Sequence, residues 1–184
     1  MALKATGIVR RIDELGRVVI PKEIRRTLRI HEGSPLEIFT DHEGGIILKK
    51  YSPVGELAAF AAEFVSTLHQ MFGHSALICD KDMVVACAGS CKKELSDQPI
   101  SVDVEQAILA RMLVLQDTEN GTIRRLTEKC DQTPAVLLLV PIIAQSDAIG
   151  AIILFSFEPQ AVIGEPESKT CQTIAAFLAR QMEA

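Results

Sequence analysis

Along the first fifty residues, short apolar runs carry arginines between them and stop at glycine or proline. After residue 56 the apolar positions recur at helical spacing and then close into unbroken runs. Residues 6–12 read as a strand, Asp13-Glu14-Leu15-Gly16 as a turn and residues 17–20 as a second strand. Pro21 has no N–H for a ladder but suits the first turn of a helix, and Ile24 and Leu28, four apart, place that helix over residues 22–28. Arg25 and Arg26 sit about 100° apart around its axis, so both can avoid the Ile24/Leu28 stripe. Turns at residues 31–34 and 41–44 bracket a third strand, 35–40, and introduce a fourth, 45–51. The order is ββαββ.

Ser52-Pro53-Val54-Gly55 interrupts regular structure and marks a boundary. Beyond it, Leu57, Phe60, Ala61, Phe64, Leu68, Met71 and Phe72 form the stripe of a helix over residues 57–72. Strands at 75–79 and 83–88 flank the turn Asp80-Lys81-Asp82. Residues 102–113 read as a helix, and 122–126 as a short strand after the Asn120-Gly121 turn. The apolar runs 135–142 and 148–155, around Gln145-Ser146-Asp147, are two buried strands at the centre of a sheet. Glu165-Pro166-Glu167 opens a last helix, with proline in its first turn and carboxylates near its positive end. Cys171, Ile174, Ala175, Leu178 and Met182 are its apolar stripe.

Composition sets bounds on this pattern. A chain of 184 residues with 48% hydrophobic and 23% charged residues suits one or two modest globular domains. Its longest nearly unbroken apolar run, residues 134–144, falls short of the roughly 20 residues a membrane-spanning helix needs. The first seven residues lack the apolar core of an export signal, so a cytoplasmic protein with no membrane partner is expected. Five cysteines, an odd number, then fit reduced thiols better than a disulfide framework.

Charge separates the chain into unlike parts. Residues 1–52 hold 10 Lys and Arg against 7 Asp and Glu, whereas residues 53–184 hold 9 against 17, so the net −5 conceals a basic head. Within the head, residues 4–29 reach +5. A solvated charged face is the plainer reading of such composition, but here arginines recur on both strands and on the helix, which favours attraction of a polyanion. A unit of fifty residues with Phe39 and Tyr51 as its aromatics buries too little alone, since below about 70–80 residues a core seldom gives more than ~3–5 kcal/mol. The head has no cysteine. Self-association through intertwined strands is the remaining source of stability.

The run from Lys4 to Leu28, centred on Asp13-Glu14-Leu15-Gly16-Arg17-Val18-Val19-Ile20-Pro21, resembles the swapped-hairpin DNA-binding domain of the AbrB family. The likeness continues through Leu36-Glu37-Ile38-Phe39 and Ile46-Ile47-Leu48-Lys49-Lys50-Tyr51, covering residues 3–52. It implies a β-barrel dimer of interleaved hairpins that presents arginines to double-stranded DNA. Matched position by position, the contact arginines of that family fall on Arg10, Arg17, Arg25 and Arg26, with Arg11 and Lys22 as weaker additions. The chemistry agrees, because a guanidinium fork can bind phosphate oxygens or the edge of guanine. No helix-turn-helix is visible, so a limited base code with readout of DNA shape is expected.

Residues 56–184 resemble a GAF domain, a small-molecule sensor fold, in their element order and in Val140-Pro141-Ile142 followed by Ile149-Gly150-Ala151-Ile152. That likeness implies an α/β/α sandwich with a pocket between the sheet and residues 89–133; the sequence names no cofactor or effector for it. As a whole the chain is similar to a family of late-sporulation regulators that both activate and repress transcription. The expected architecture is α+β, with a DNA-binding head at 1–52, a linker at 53–56 and a sensory and oligomerisation domain at 57–184. Dimerisation through the head and a second contact through helices 57–72 and 166–183 would give a nucleoid-associated homotetramer.

Other chemistries find less support. Cys87 and Cys91 lie four apart with Lys92 and Lys93 nearby, which could lower the Cys91 pKa, but buried unpaired thiols are the commoner case. No second close pair completes a zinc site, and His69 and His74 read as surface or capping residues. Phosphate-binding, nucleophile-elbow and zinc-protease motifs are absent, and the acid pairs Asp80/Asp82 and Glu165/Glu167 fall at a turn and a helix start where capping explains them, so no catalytic residue is expected. An antitoxin-like protein would carry a short disordered tail instead of this strongly patterned one. A metabolite-binding module whose head merely oligomerises is the remaining alternative.

Overall fold

The computed structural model describes residues 6–90, 92–117 and 119–182. Lys4 and Cys91, both singled out above, lie outside the described residues. The chain divides into two units, Met1–Tyr51 and Ser52–Ala184.

In the first unit, α1 (Lys22–Thr27) begins after Pro21 and carries Glu23 in its first turn and Arg25 and Arg26 in its last, in keeping with the helix dipole. β1 (Leu36–Thr40) and β2 (Ile46–Lys50) form an antiparallel hairpin in which Ile38 faces Leu48. Asp41 closes its turn by accepting hydrogen bonds from Glu43 and Gly45. The two strands expected at 6–12 and 17–20 are not formed within the chain; the segment holds a tight turn between Asp13 and Arg17 instead. The physical reason is that a ladder needs a partner strand, and an isolated two-stranded ribbon of this length gains too little to form one alone.

The second unit is a five-stranded antiparallel sheet in the order β4-β3-β7-β6-β5, covered on both faces. Its elements are α2 (Pro53–Glu56), α3 (Ala58–Phe72), β3 (Ser75–Asp80), β4 (Val84–Ala88), α4 (Lys92–Leu95), α5 (Val102–Leu109), β5 (Val114–Gln116), β6 (Val136–Ala144), β7 (Asp147–Ser156) and α6 (Glu165–Gln181). On one face Ala61, Val65 and Leu68 of α3 and Cys171, Ala175 and Leu178 of α6 pack on Ile78, Leu138, Ile152 and Leu154. On the other, Val104 and Ile108 of α5, with Leu95, Ile100, Ile123 and Leu126, pack on Leu77, Leu137, Leu139, Ile153 and Phe155. Because both faces are buried, β6 and β7 need apolar residues at nearly every position, which is why their sequence runs unbroken. The α/β/α sandwich is as expected.

Local differences have identifiable causes. Residues 53–56, read as a linker, form α2: Ser52 caps it by accepting from the Gly55 N–H, and Val54 is only 1% exposed. The helix expected to run to 113 ends at Leu109, where Arg111 adopts a left-handed φ of 56°, and the chain turns into β5, an edge strand too short to show periodicity. Residues 122–126 form no strand; they are tied down by the buried Gln116 amide, which accepts from Thr122 and Ile123 N–H and donates to the Ile123 carbonyl. The stripe of α3 is rotated, so that Val65 is buried while Phe60 and Met71 are exposed.

Candidate nucleic-acid interface

The turn that carries Arg17 is assembled by one carboxylate. Asp13 Oδ1 accepts from the Leu15 and Arg17 backbone N–H groups at 3.0 and 2.8 Å, and its Oδ2 accepts from Arg17 Nε at 2.8 Å. Gly16, with φ of 76°, supplies the left-handed residue the turn needs. Hydrogen bonds from the Arg17 N–H and then from its guanidinium hold the Asp13 carboxyl below its ordinary range. Nε is thus committed to Asp13, while the two terminal amino groups of a guanidinium that stays 71% exposed are left to meet a ligand. The sequence identified Asp13 only as a turn former; the Asp-x-x-Gly-Arg spacing is the signal that could have revealed it as the residue positioning Arg17.

All the other expected contact residues are exposed. Arg25 and Arg26 stand on α1, and Lys22 opens it. Arg10 and Arg11 precede the turn. Among the described residues the side chains of Arg10, Arg11, Lys22, Arg25 and Arg26 form no ion pair or hydrogen bond. Five uncommitted cations in so short a segment make a surface that gains by binding phosphates and displacing their counterions.

The same unit displays apolar groups that a folded chain does not normally leave wet. Val9 is 89% exposed, and Ile12, Leu15, Val19, Ile38 and Ile46 are each more than half exposed; within residues 6–51 Pro21 alone is buried. An apolar surface of this extent marks an interface.

In the second unit, the face expected to hold a sensor pocket carries a cluster of buried side chains. Leu77, Cys87, Ile100, Ile108, Ile123, Leu139 and Phe155 form a packed core between the sheet and residues 95–130. The outer face of α3 carries an open groove of about 530 Å3 along Ala62, Glu63, Ser66, Thr67 and Gln70, and Phe64 meets Phe177 of α6 edge to face at 5.7 Å. His69 and His74 bond to backbone: His69 Nδ1 to the His74 carbonyl at 2.8 Å and His74 Nε2 to the Val162 carbonyl at 3.2 Å. Burial pushes the Cys79 and Cys171 thiols up to about 12. Asp80 accepts from the Asp82 and Met83 N–H groups, and Glu167 reaches back to the Gly164 N–H, so both acid pairs contribute caps as expected.

Comparison with known proteins adds to this geometry. Residues 56–183 match the family described as stage V sporulation protein T C-terminal, transcription factor, and residues 9–56 match the family described as antidote-toxin recognition MazE, bacterial antitoxin. The stage V sporulation protein T of Bacillus subtilis (strain 168) is 50% identical over 98% of this chain and 99% of its own length. The transition state regulatory protein AbrB of the same organism is 66% identical over 53 residues, which are 29% of this chain and 54% of that protein. Among solved structures, the GAF domain of the Acinetobacter phosphoenolpyruvate-protein phosphotransferase superposes with a TM-score of 0.58 at 13% identity, covering 73% of this chain and 84% of its own. The PixJ GAF domain of Thermosynechococcus elongatus follows at 0.57 and 15%, covering 73% and 89%. These likenesses establish the GAF fold of the second unit and an AbrB-type first unit.

Proposed function

The chain belongs to the stage V sporulation protein T family of transcription factors, and on that premise we propose that it binds double-stranded DNA as a regulator of late sporulation genes, activating some and repressing others. Arg10, Arg17, Arg25 and Arg26 are the principal contacts, with Arg11 and Lys22 as additions. The observation that carries this reading is the set of exposed guanidinium groups, those of Arg10, Arg11, Arg25 and Arg26 uncommitted and that of Arg17 held only through Nε, on a unit whose apolar side chains are also exposed. Two copies of residues 1–52 interleave their first segments, which supplies the missing ladder partners, buries Val9, Ile12 and Val19, and sets two arginine arrays side by side.

Residues 57–184 assemble and regulate. A second contact, through α3 and α6, joins two dimers into a tetramer, and two DNA-binding heads acting on one duplex raise affinity by avidity. The protein works in the cytoplasm on the nucleoid and has no enzymatic role. Among the described residues no helix is long and apolar enough to cross a membrane.

The antitoxin family matched by residues 9–56 supports a second reading, in which the head binds DNA and the tail grips a toxin. The well-packed sandwich argues against it, because such a tail would wrap its partner as an extended segment. Fluorescence anisotropy with duplex DNA tests the assignment: Arg17→Ala should abolish or strongly weaken binding while size-exclusion chromatography shows an unchanged oligomer. Unaltered DNA affinity would refute the contact assignment.

A further inference from the structure

A small hollow lies at the end of the sheet where β3 begins and β7 ends, apart from the open groove on α3. It measures about 260 Å3, and Ser75, Ser90, Ser156, Phe72, Phe157 and Glu158 contribute to its lining. That volume is below the roughly 300–1,000 Å3 of pockets for drug-sized ligands, so its ligand must be smaller.

The polar groups of the hollow are arranged around unmet hydroxyl hydrogens. Ser75 is only 6% exposed, and its Oγ accepts from the Ser90 N–H at 2.9 Å. Ser156 Oγ accepts from the Glu158 N–H at 3.1 Å. A hydroxyl that accepts still has its own hydrogen to donate, and among the described residues the hydroxyls of Ser75, Ser90 and Ser156 donate to no protein acceptor. Gly89, at φ of 94°, lets the chain close here: a Cβ at that position would stand 2.7 Å from Ser75 Oγ. Three hydroxyls, that of Ser75 buried, that of Ser156 half-buried and that of Ser90 exposed, thereby line a space with room for an acceptor-bearing molecule, and the buried one gains most from being satisfied.

The rest of the lining narrows the chemistry. Among the described residues no Lys or Arg lines the hollow. Glu158 instead offers a carboxylate, suited to an ammonium. His74, also in the lining, bonds the Val162 carbonyl through Nε2. Phe72 and Phe157 supply an apolar wall, and Phe157 is fixed edge to face on Phe155 at 5.4 Å. A ligand that satisfies donors, acceptors and wall together carries a carboxylate, an ammonium and an apolar body. We propose that this hollow binds a zwitterionic α-amino acid with an apolar side chain, its carboxylate on the serine hydroxyls and its ammonium at Glu158. The site differs in place from the face of the sheet covered by Ile100, Ile108 and Ile123.

Isothermal titration of the intact protein with L-phenylalanine and L-leucine tests this. At least one should bind saturably, one molecule per chain, with a dissociation constant of about 1 mM or tighter. Phenylpropionate, which keeps only the carboxylate, and phenethylamine, which keeps only the amine, should each bind about tenfold more weakly or less. Ser90→Ala removes one donor from an exposed residue and should weaken binding several-fold. Ala161→Leu fills the hollow and should abolish binding, with circular dichroism confirming that both variants fold. Absence of saturable binding by both amino acids, binding that survives Ala161→Leu, or phenylpropionate binding as tightly as phenylalanine would each overturn the proposal.

Discussion

Asp13 and Arg17 illustrate how one residue prepares another. The carboxylate fixes the turn and holds Nε, so in the proposed DNA complex the guanidinium would bind with part of its conformational entropy already lost. Arg17→Ala should lower DNA affinity by about 1–3 kcal/mol, read by anisotropy, whereas Asp13→Asn should cost less, because it loosens the arginine without removing it. The Asp13 pKa is depressed in the folded protein, so its contribution is present above the unfolded value of 3.8 and is lost as pH falls below that through the folded value. The cysteines go the other way. Cys79 and Cys171 are raised by burial to about 12 from 9.0, so the stability tied to their neutral thiols is complete below pH 9.0 and falls as pH rises toward 12. At neutral pH both should resist alkylation by iodoacetamide in the native protein and react once it is unfolded, as mass spectrometry of the modified peptides would record.

At the scale of elements, the sheet depends on close approach and on satisfied polar groups. A Cβ at Gly150 would run into the Cys79 carbonyl where β7 lies against β3. Gly150→Ala should therefore destabilise the protein by about 1–3 kcal/mol in chemical denaturation. Gln116→Leu should cost a similar ~1–3 kcal/mol, because the Thr122 and Ile123 N–H groups and the Ile123 carbonyl lose their partner where the side chain is only 4% exposed. Helices and long strands were legible because their apolar periodicity is set by the faces they bury. β5 and the 122–126 segment were not, since three residues have no period and one distant amide decides the path of the other.

Over the whole molecule, opposite charge and opposite burial distinguish the two units. The first leaves its apolar residues in water, while the second buries two full layers. If a DNA complex neutralises about eight phosphates, log K should fall against log salt with a slope of roughly −7, and each arginine removed should reduce that slope by about one. If the proposed second contact runs through α3, Phe60→Asp on its exposed side should convert tetramers to dimers in sedimentation analysis without unfolding the sandwich, since Phe60 lies outside the buried core.

The sequence by itself determined helices α1, α3, α5 and α6, the buried central strands and the basic character of the head, because periodicity and charge are local properties that each segment carries wherever it folds. Only the tertiary structure decided that α2 joins the second unit, that Asp13 holds Arg17, that Gln116 ties down residues 122 and 123 and that three serines meet at the end of the sheet. Those features depend on which residues distant in the chain come within a few ångströms of one another, and a one-dimensional pattern does not encode such distances.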